Sequence, residues 1–237
     1  MNTTENKNEM TSQKIKEAFN REMVLLQKIY NKFPWQNREA YARWLAQTYH
    51  FVCHSTRLLS LSAARFSLSQ NKFHLRCLDH MKEERSHEIL ALNDLKHLGY
   101  PISQFPESSM TSAFYQSQYY LIDYAHPLAL YGYILCLEGI SSTAGKDVYG
   151  QVCKAFGEKT ATFWKVHSQE DDGHLAEAFE KLSMAAPTEA DIILQSLKQS
   201  SDLYRMILAE IISQVSDINA FSRSEEDLQS YGRSLPA

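Results

Sequence analysis

Glycine and proline are scarce in this sequence, 8 and 6 among 237 residues. A chain so poor in turn formers lacks the many short connections of an all-β fold, and no stretch of strictly alternating apolar and polar residues is present. Cysteine is scarce as well. Cys53, Cys77, Cys136 and Cys153 include no C-x-x-C pair, and each lies in an apolar stretch of helical spacing, so they read as buried thiols and not as disulfides or zinc ligands. No lysine or arginine cluster builds a basic stripe and the formal charge is −4, which excludes a phosphate backbone, and so nucleic acid, as a partner. No apolar run approaches the ~20 residues that span a bilayer. The longest, Pro127 to Leu137, is far shorter, and the polar N-terminus does not resemble a signal peptide. A cytosolic protein without a membrane partner is expected.

With 44% hydrophobic and 22% charged residues, the chain has material for a sizeable core. Apolar residues recur at 3.6-residue spacing almost throughout, which predicts an all-α fold: one compact bundle of about seven or eight helices over residues 11–221. Residues 1–10 and 222–237 are polar and read as loose tails. Helices are expected over about Thr11 to Lys32, Gln36 to Ser69, Asn71 to Leu98 and Ser109 to Tyr124. Four more follow, over about Pro127 to Ala144, Asp147 to Phe156, Glu158 to Met184 and Thr188 to Ala220. The helix from Pro127 is apolar nearly all round, which places it at the centre. No internal repeat or linker divides the chain.

The chemistry is concentrated in three helices. His167-Ser-Gln-Glu-Asp171-Asp-Gly-His174 carries a histidine, a carboxylate and a second histidine at i, i+4 and i+7, on one helical face. Roughly 0.04 such matches are expected by chance at this composition. Glu84 precedes His87 by three residues, which alone reads as a charged surface patch, because Lys82, Arg85 and Glu88 surround it. Glu138 sits in the most apolar helix, where a carboxylate must be paired, protonated or bound to a cation. Glu84, His87, Glu138, His167, Asp171 and His174 together offer three carboxylates and three imidazoles. Mixed nitrogen and oxygen ligation suits iron, with manganese the alternative, better than zinc or calcium. Two metals bridged by carboxylates are the natural arrangement.

The ordered set Glu-x-x-His, lone Glu, His-x3-Asp-x2-His resembles the haem-oxygenase-like di-metal oxidases. Tyr49-His50-Phe-Val-Cys-His54-Ser-Thr-Arg57 looks like the family's early helix, and Pro127-Leu-Ala-Leu-Tyr-Gly132-Tyr-Ile-Leu-Cys-Leu-Glu138-Gly139 like its central one. The resemblance implies a haem-oxygenase-like bundle with a non-haem di-iron centre that activates O2, with the six residues as ligands and Glu138 as bridge. Some relatives place the first carboxylate seven residues before the histidine, a position held here by His80. Glu84, Glu83 and His80 therefore all stand as candidates for that ligand. Relatives include a fatty-acid decarboxylase, an oxidase of a chlorinated lysine, N-oxygenases and a self-sacrificing para-aminobenzoate synthase. A small fatty-acid-like or amino-acid-like substrate is expected, with an electron donor and, on base rate, a homodimer.

Tyr115, Tyr119, Tyr120, Tyr131 and Phe163 are candidates for a substrate pocket, though each taken singly reads better as core, and Arg57 is a candidate carboxylate anchor. His50 and His54 lack a carboxylate on their face and read as core or supporting hydrogen-bond groups, while His74, His97 and His126 read as boundary histidines. Three rival readings remain. A thiaminase-like hydrolase would use Cys136 as nucleophile with Glu210 as its acid/base partner. The others are a metal-binding protein without turnover and a haem protein with one axial histidine.

Overall fold

The structure, a computed structural model, describes the backbone of residues 3–182 and 185–232, and side chains over 10–168, 175, 178, 179, 182, 185, 186 and 188–217. Its helices are α1 (Thr3–Tyr30), α2 (Arg38–Val52), α3 (Ser55–Arg65), α4 (Asn71–Glu83), α5 (His87–His97), α6 (Ser109–Tyr124), α7 (Ala129–Phe156), α8 (Thr162–Leu182) and α9 (Pro187–Gly232). Three short 3-10 turns complete the elements, and no strand occurs among the described residues. The all-α bundle is as the periodicity predicts. No helix of the described residues is long and apolar enough to cross a membrane.

Helix α7 lies at the centre and packs against α1, α6, α8 and α9. Its first half, Ala129 to Ser142, holds no charged residue but Glu138, and its buried residues run from Ala129 through Val152. Two glycines let neighbours come close. A Cβ on Gly132 would lie 2.4 Å from Ile193 O and from Leu197 N of α9, and one on Gly139 would lie 2.4 Å from the Phe19 ring of α1. Pairs α2 with α5 and α3 with α4 wrap this centre, and α5 reaches α8. Caps fix several starts: the Asn37 side chain accepts from Ala40 N, and that of Ser108 from Thr111 N.

Two expected helices are interrupted. The stretch from Gln36 to Ser69 turns at Cys53 and His54, where His54 N donates to Phe51 O at 3.0 Å. Neither glycine nor proline marks this turn. A tertiary contact accompanies it instead: the His54 ring stacks on Tyr115 with centroids 3.7 Å apart, and its Nδ1 lies 2.9 Å from the Tyr119 hydroxyl. The stretch from Asn71 to Leu98 breaks after Glu83, and Ser86 adopts the left-handed region with φ 74°. Conversely, the two helices expected over Pro127 to Ala144 and Asp147 to Phe156 are one, α7, because Gly145 is accommodated inside it. A Cβ there would lie 3.1 Å from Ser168 Cβ, so the glycine serves the approach of α8. Helical backbone also covers 3–10 and 222–232, stretches read as tails, in which no proline stands to stop it. The expected end at Met184 lies outside the described residues.

Candidate metal centre

The break after α4 decides the geometry of Glu84 and His87. Glu84 closes α4, its N donating to His80 O at 2.9 Å, the chain turns through Ser86, and His87 opens α5. The pair is thus joined by a turn and not by a shared helical face, and Glu84 Oε2 still lies 3.6 Å from His87 Nδ1. Packing of α5 on α8 brings in His167, whose ring centroid is 4.8 Å from that of His87. Glu84, His87 and His167 each present one donor atom, all within 4.8 Å of one another. Donors around one cation at ~2.1 Å lie up to ~4 Å apart, so side-chain adjustment alone is needed to bring all three to one ion. A carboxylate with two imidazoles is a donor set that suits iron.

His80 connects this cluster to Glu138 on α7. Its Nε2 lies 3.1 Å from Glu138 Oε1 and 3.5 Å from Glu84 Oε1, all three side chains being largely buried. Burial opposes charge on His80, but the facing Glu138 and Glu84 carboxylates outweigh it and push its pKa up to about 10. Burial likewise opposes charge on Glu84, yet His80 and His87 beside it hold its carboxyl well below the usual range. Of the three candidates in this region, Glu83 points elsewhere. It pairs with Arg76 at 3.1 Å and its side chain is 40% exposed. Helix α8 is continuous through positions 171 and 174, but the side chains of Asp171 and His174 lie outside the described residues.

His167 is oriented by its own helix. Its Nδ1 lies 2.9 Å from Phe163 O, and a carbonyl only accepts, so Nδ1 carries the proton and the neutral ring keeps its lone pair on Nε2. Phe163 also stacks on the imidazole, with centroids 4.0 Å apart. The start of α8 is fixed in turn by Asp94 of α5, which accepts from Thr162 N at 3.1 Å, Thr162 Oγ1 at 2.6 Å and Phe163 N at 2.8 Å.

Glu84, Glu138, His80 and His167 line one part of a cavity that is partly open to solvent. The rest of its wall is mostly apolar and aromatic, with Tyr30, Trp44, Phe51, Tyr133, Trp164 and Tyr204 joining Phe163. Of the aromatic residues singled out in the sequence, only Phe163 reaches this wall. Tyr115 and Tyr119 pack on His54, Tyr120 is 63% exposed, and Tyr131 lines a smaller cavity behind His80. Arg57 is exposed and donates to Cys53 O, so it is no anchor on this wall. Cys136 is 0% exposed, does not line the cavity, and burial pushes its thiol far up, while Glu210 accepts from Gln214. Trp164 and Ile134 lie three or four residues before His167 and Glu138, a spacing that marks them as neighbours on the same faces. Tyr30, Phe51 and Tyr204 come from helices without a candidate ligand, and no local signal points to them. His50 contacts Phe105 O at 3.1 Å and His74 contacts Ala63 O at 2.8 Å, both supporting roles.

Comparison with known proteins places the fold and the family. The fold is similar to a domain of unknown function with a haem-oxygenase-like fold from Shewanella denitrificans, at 19% identity and TM-score 0.75, covering 84% of this chain and 92% of that one. It is also similar to a TenA homolog from Pseudomonas syringae, at 13% identity and TM-score 0.73, covering 85% and 92%. The chain therefore has the haem-oxygenase-like fold. No curated protein matches it. The sequence profile of a family described as iron-containing redox enzymes matches residues 42–205, a span that holds every helix contributing to the cluster. By that match over more than half its length, the chain belongs to the family of iron-containing redox enzymes.

Proposed function

We propose that this protein is a non-haem di-iron oxidase that uses O2 to oxidise a small organic substrate, with Glu84, His87, Glu138, His167, Asp171 and His174 as the ligands. One observation carries the reading: a carboxylate and two imidazoles converge within 4.8 Å beside a largely apolar cavity, in a chain of an iron-containing family. Asp171 and His174 complete the set by their spacing from His167 along a continuous helix. Iron bound here supplies the O2 and electron-transfer chemistry that no side chain provides. The protein's own groups do the rest. Phe163 O holds the proton of His167 on Nδ1 and so keeps Nε2 free to ligate. Glu84 and Glu138 supply the negative charge a cation needs, and His80 Nε2 lies 3.5 Å from one and 3.1 Å from the other. The aromatic wall receives the substrate and lowers the local dielectric, which strengthens these interactions.

The hydrolase reading is weaker, because Cys136 stands off the cavity wall with its thiol held protonated by burial. A haem on one axial histidine fits poorly where each candidate histidine has a carboxylate or a second imidazole beside it. The test is anaerobic loading of the metal-free chain with Fe(II), followed by metal analysis and O2 uptake, with His167→Ala in parallel. About two irons per chain and rapid O2 consumption are expected in the parent protein and not in the variant. Iron content equal in the two proteins sinks the ligand assignment, and iron without O2 uptake leaves a storage or structural site.

A further inference from the structure

Phe163 meets the metal cluster twice, through its backbone and through its ring. Its O accepts from His167 Nδ1 at 2.9 Å, and its N donates to Asp94 Oδ2 at 2.8 Å. The hydrogen bond to Nδ1 selects the tautomer but does not by itself fix the imidazole, because the χ2 torsion of histidine has broad wells. Rotation about that torsion carries Nε2 away from Glu84 and His87. Two rings limit it. Phe163 lies nearly flat on the imidazole, with centroids 4.0 Å apart and planes at 21°, and the His87 ring meets it edge-on at 4.8 Å and 72°. Phe163 is held in turn: Trp44 and Trp164 meet its ring edge-on at 5.7 Å and 6.2 Å, and these two indoles stack on each other at 4.7 Å.

We infer that Phe163 is a positioning residue for the metal: its ring sets the His167 imidazole so that Nε2 is presented to an ion shared with Glu84 and His87. Ring stacking of this kind shifts an equilibrium by about 2–12-fold, which sets the size of the effect. The same ring is part of the cavity wall, and among the described residues it is the one aromatic ring of that wall stacked on a candidate ligand. A molecule that fills the cavity therefore lies against the support of a ligand. The inference rests on the metal-binding part of the oxidase reading and not on its O2 chemistry.

Anaerobic titration of the metal-free chain with Co(II), followed by its visible ligand-field absorption, tests it in Phe163→Leu, Phe163→Tyr and Phe114→Leu. Phe114 is the control for lost core packing: its ring is 0% exposed, packs on Phe51, Tyr133 and Tyr204, and does not line the cavity. Phe163→Leu is expected to bind Co(II) about 2–12-fold more weakly than the parent, with shifted bands. Phe163→Tyr, which keeps the ring face, and Phe114→Leu are expected to match the parent in both, and circular dichroism checks that each is folded. Parent-like affinity and bands in Phe163→Leu, an equal loss in Phe114→Leu, or no rescue by tyrosine overturns the inference. A second measurement needs no variant. In the metal-free parent, NMR is expected to show the His167 ring protons upfield of free histidine and its Nδ1 proton in slow exchange, and their absence also overturns it. Co(II) binding as expected, with no O2 uptake by the Fe(II)-loaded parent, would sink the oxidase reading alone. O2 uptake by the Fe(II)-loaded parent, with Phe163→Leu binding Co(II) like the parent, would sink this inference alone.

Discussion

Asp94 shows how one side chain remote from the cluster sets its geometry. The first backbone N–H groups of a helix have no partner inside it, and Asp94 accepts two of them, together with the Thr162 hydroxyl, at the start of α8. Burial raises its carboxyl and these donors oppose that rise, while the positive end of the helix favours the anion. Asp94→Ala is predicted to cost about 2–3 kcal/mol, because it leaves buried donors unmade, and to lower iron occupancy by loosening the helix that carries His167. Asp94→Asn, with one acceptor oxygen left, is expected to fall between. Urea denaturation and metal analysis of the three proteins check this, and a parent-like midpoint for Asp94→Ala would remove the anchor from the account. Such a residue is invisible in the sequence because its partners lie 68 and 69 positions away. Glu138 was legible for the opposite reason: as the one charged residue between Pro127 and Ala144 it announces an unusual partner from local context alone. His80 fell between these cases. It could be placed in the right stretch, but its alignment with Glu138 depends on how α4 meets α7.

At the scale of elements, periodicity located the helices and failed at their interruptions. Ser109–Tyr124 is found as the sequence predicts, since Ser108 caps one end and His126-Pro127 follows the other. The breaks at Cys53 and after Glu83 carry no glycine or proline, and Ser86 takes a left-handed conformation that glycine or asparagine would have advertised. This second break matters for function, because it replaces the expected Glu-x-x-His face by a turn. Glycines inside α7 act at the same scale, where they read as weak points but serve close packing. Gly132→Ala places a methyl 2.4 Å from two backbone atoms of α9, and neither helix yields without a shift of the whole element. The substitution is predicted to destabilise by about 1–3 kcal/mol. Gly150→Ala, on an exposed site with nothing within 4 Å, is the control and is expected to stabilise by up to ~1 kcal/mol. Thermal unfolding that ranks the two the other way would show that α7 and α9 do not meet at Gly132.

For the whole molecule, the cluster joins parts of the chain that local contacts do not join. Glu84 and His87 come from the turn between α4 and α5, Glu138 from the central helix and His167 from α8, so a cation held by them closes the bundle across its middle. The unfolded chain has no such preformed site, so binding free energy adds to stability by mass action, ~2.7 kcal/mol at a free metal concentration 100-fold above Kd. Removing metal with a chelator is therefore predicted to lower the unfolding temperature and to speed hydrogen exchange in α8 and in residues 84–87 more than in α2 or α6. Adding back Fe(II) or Mn(II) under anaerobic conditions should reverse both changes in the parent protein. The His167→Ala protein should unfold at one temperature with or without metal. If metal slows exchange evenly over all helices, or slows it in the variant as well, the ion is held somewhere other than this cluster. Protection confined to α8 without residues 84–87 would leave His167 as a ligand and detach Glu84 and His87 from it.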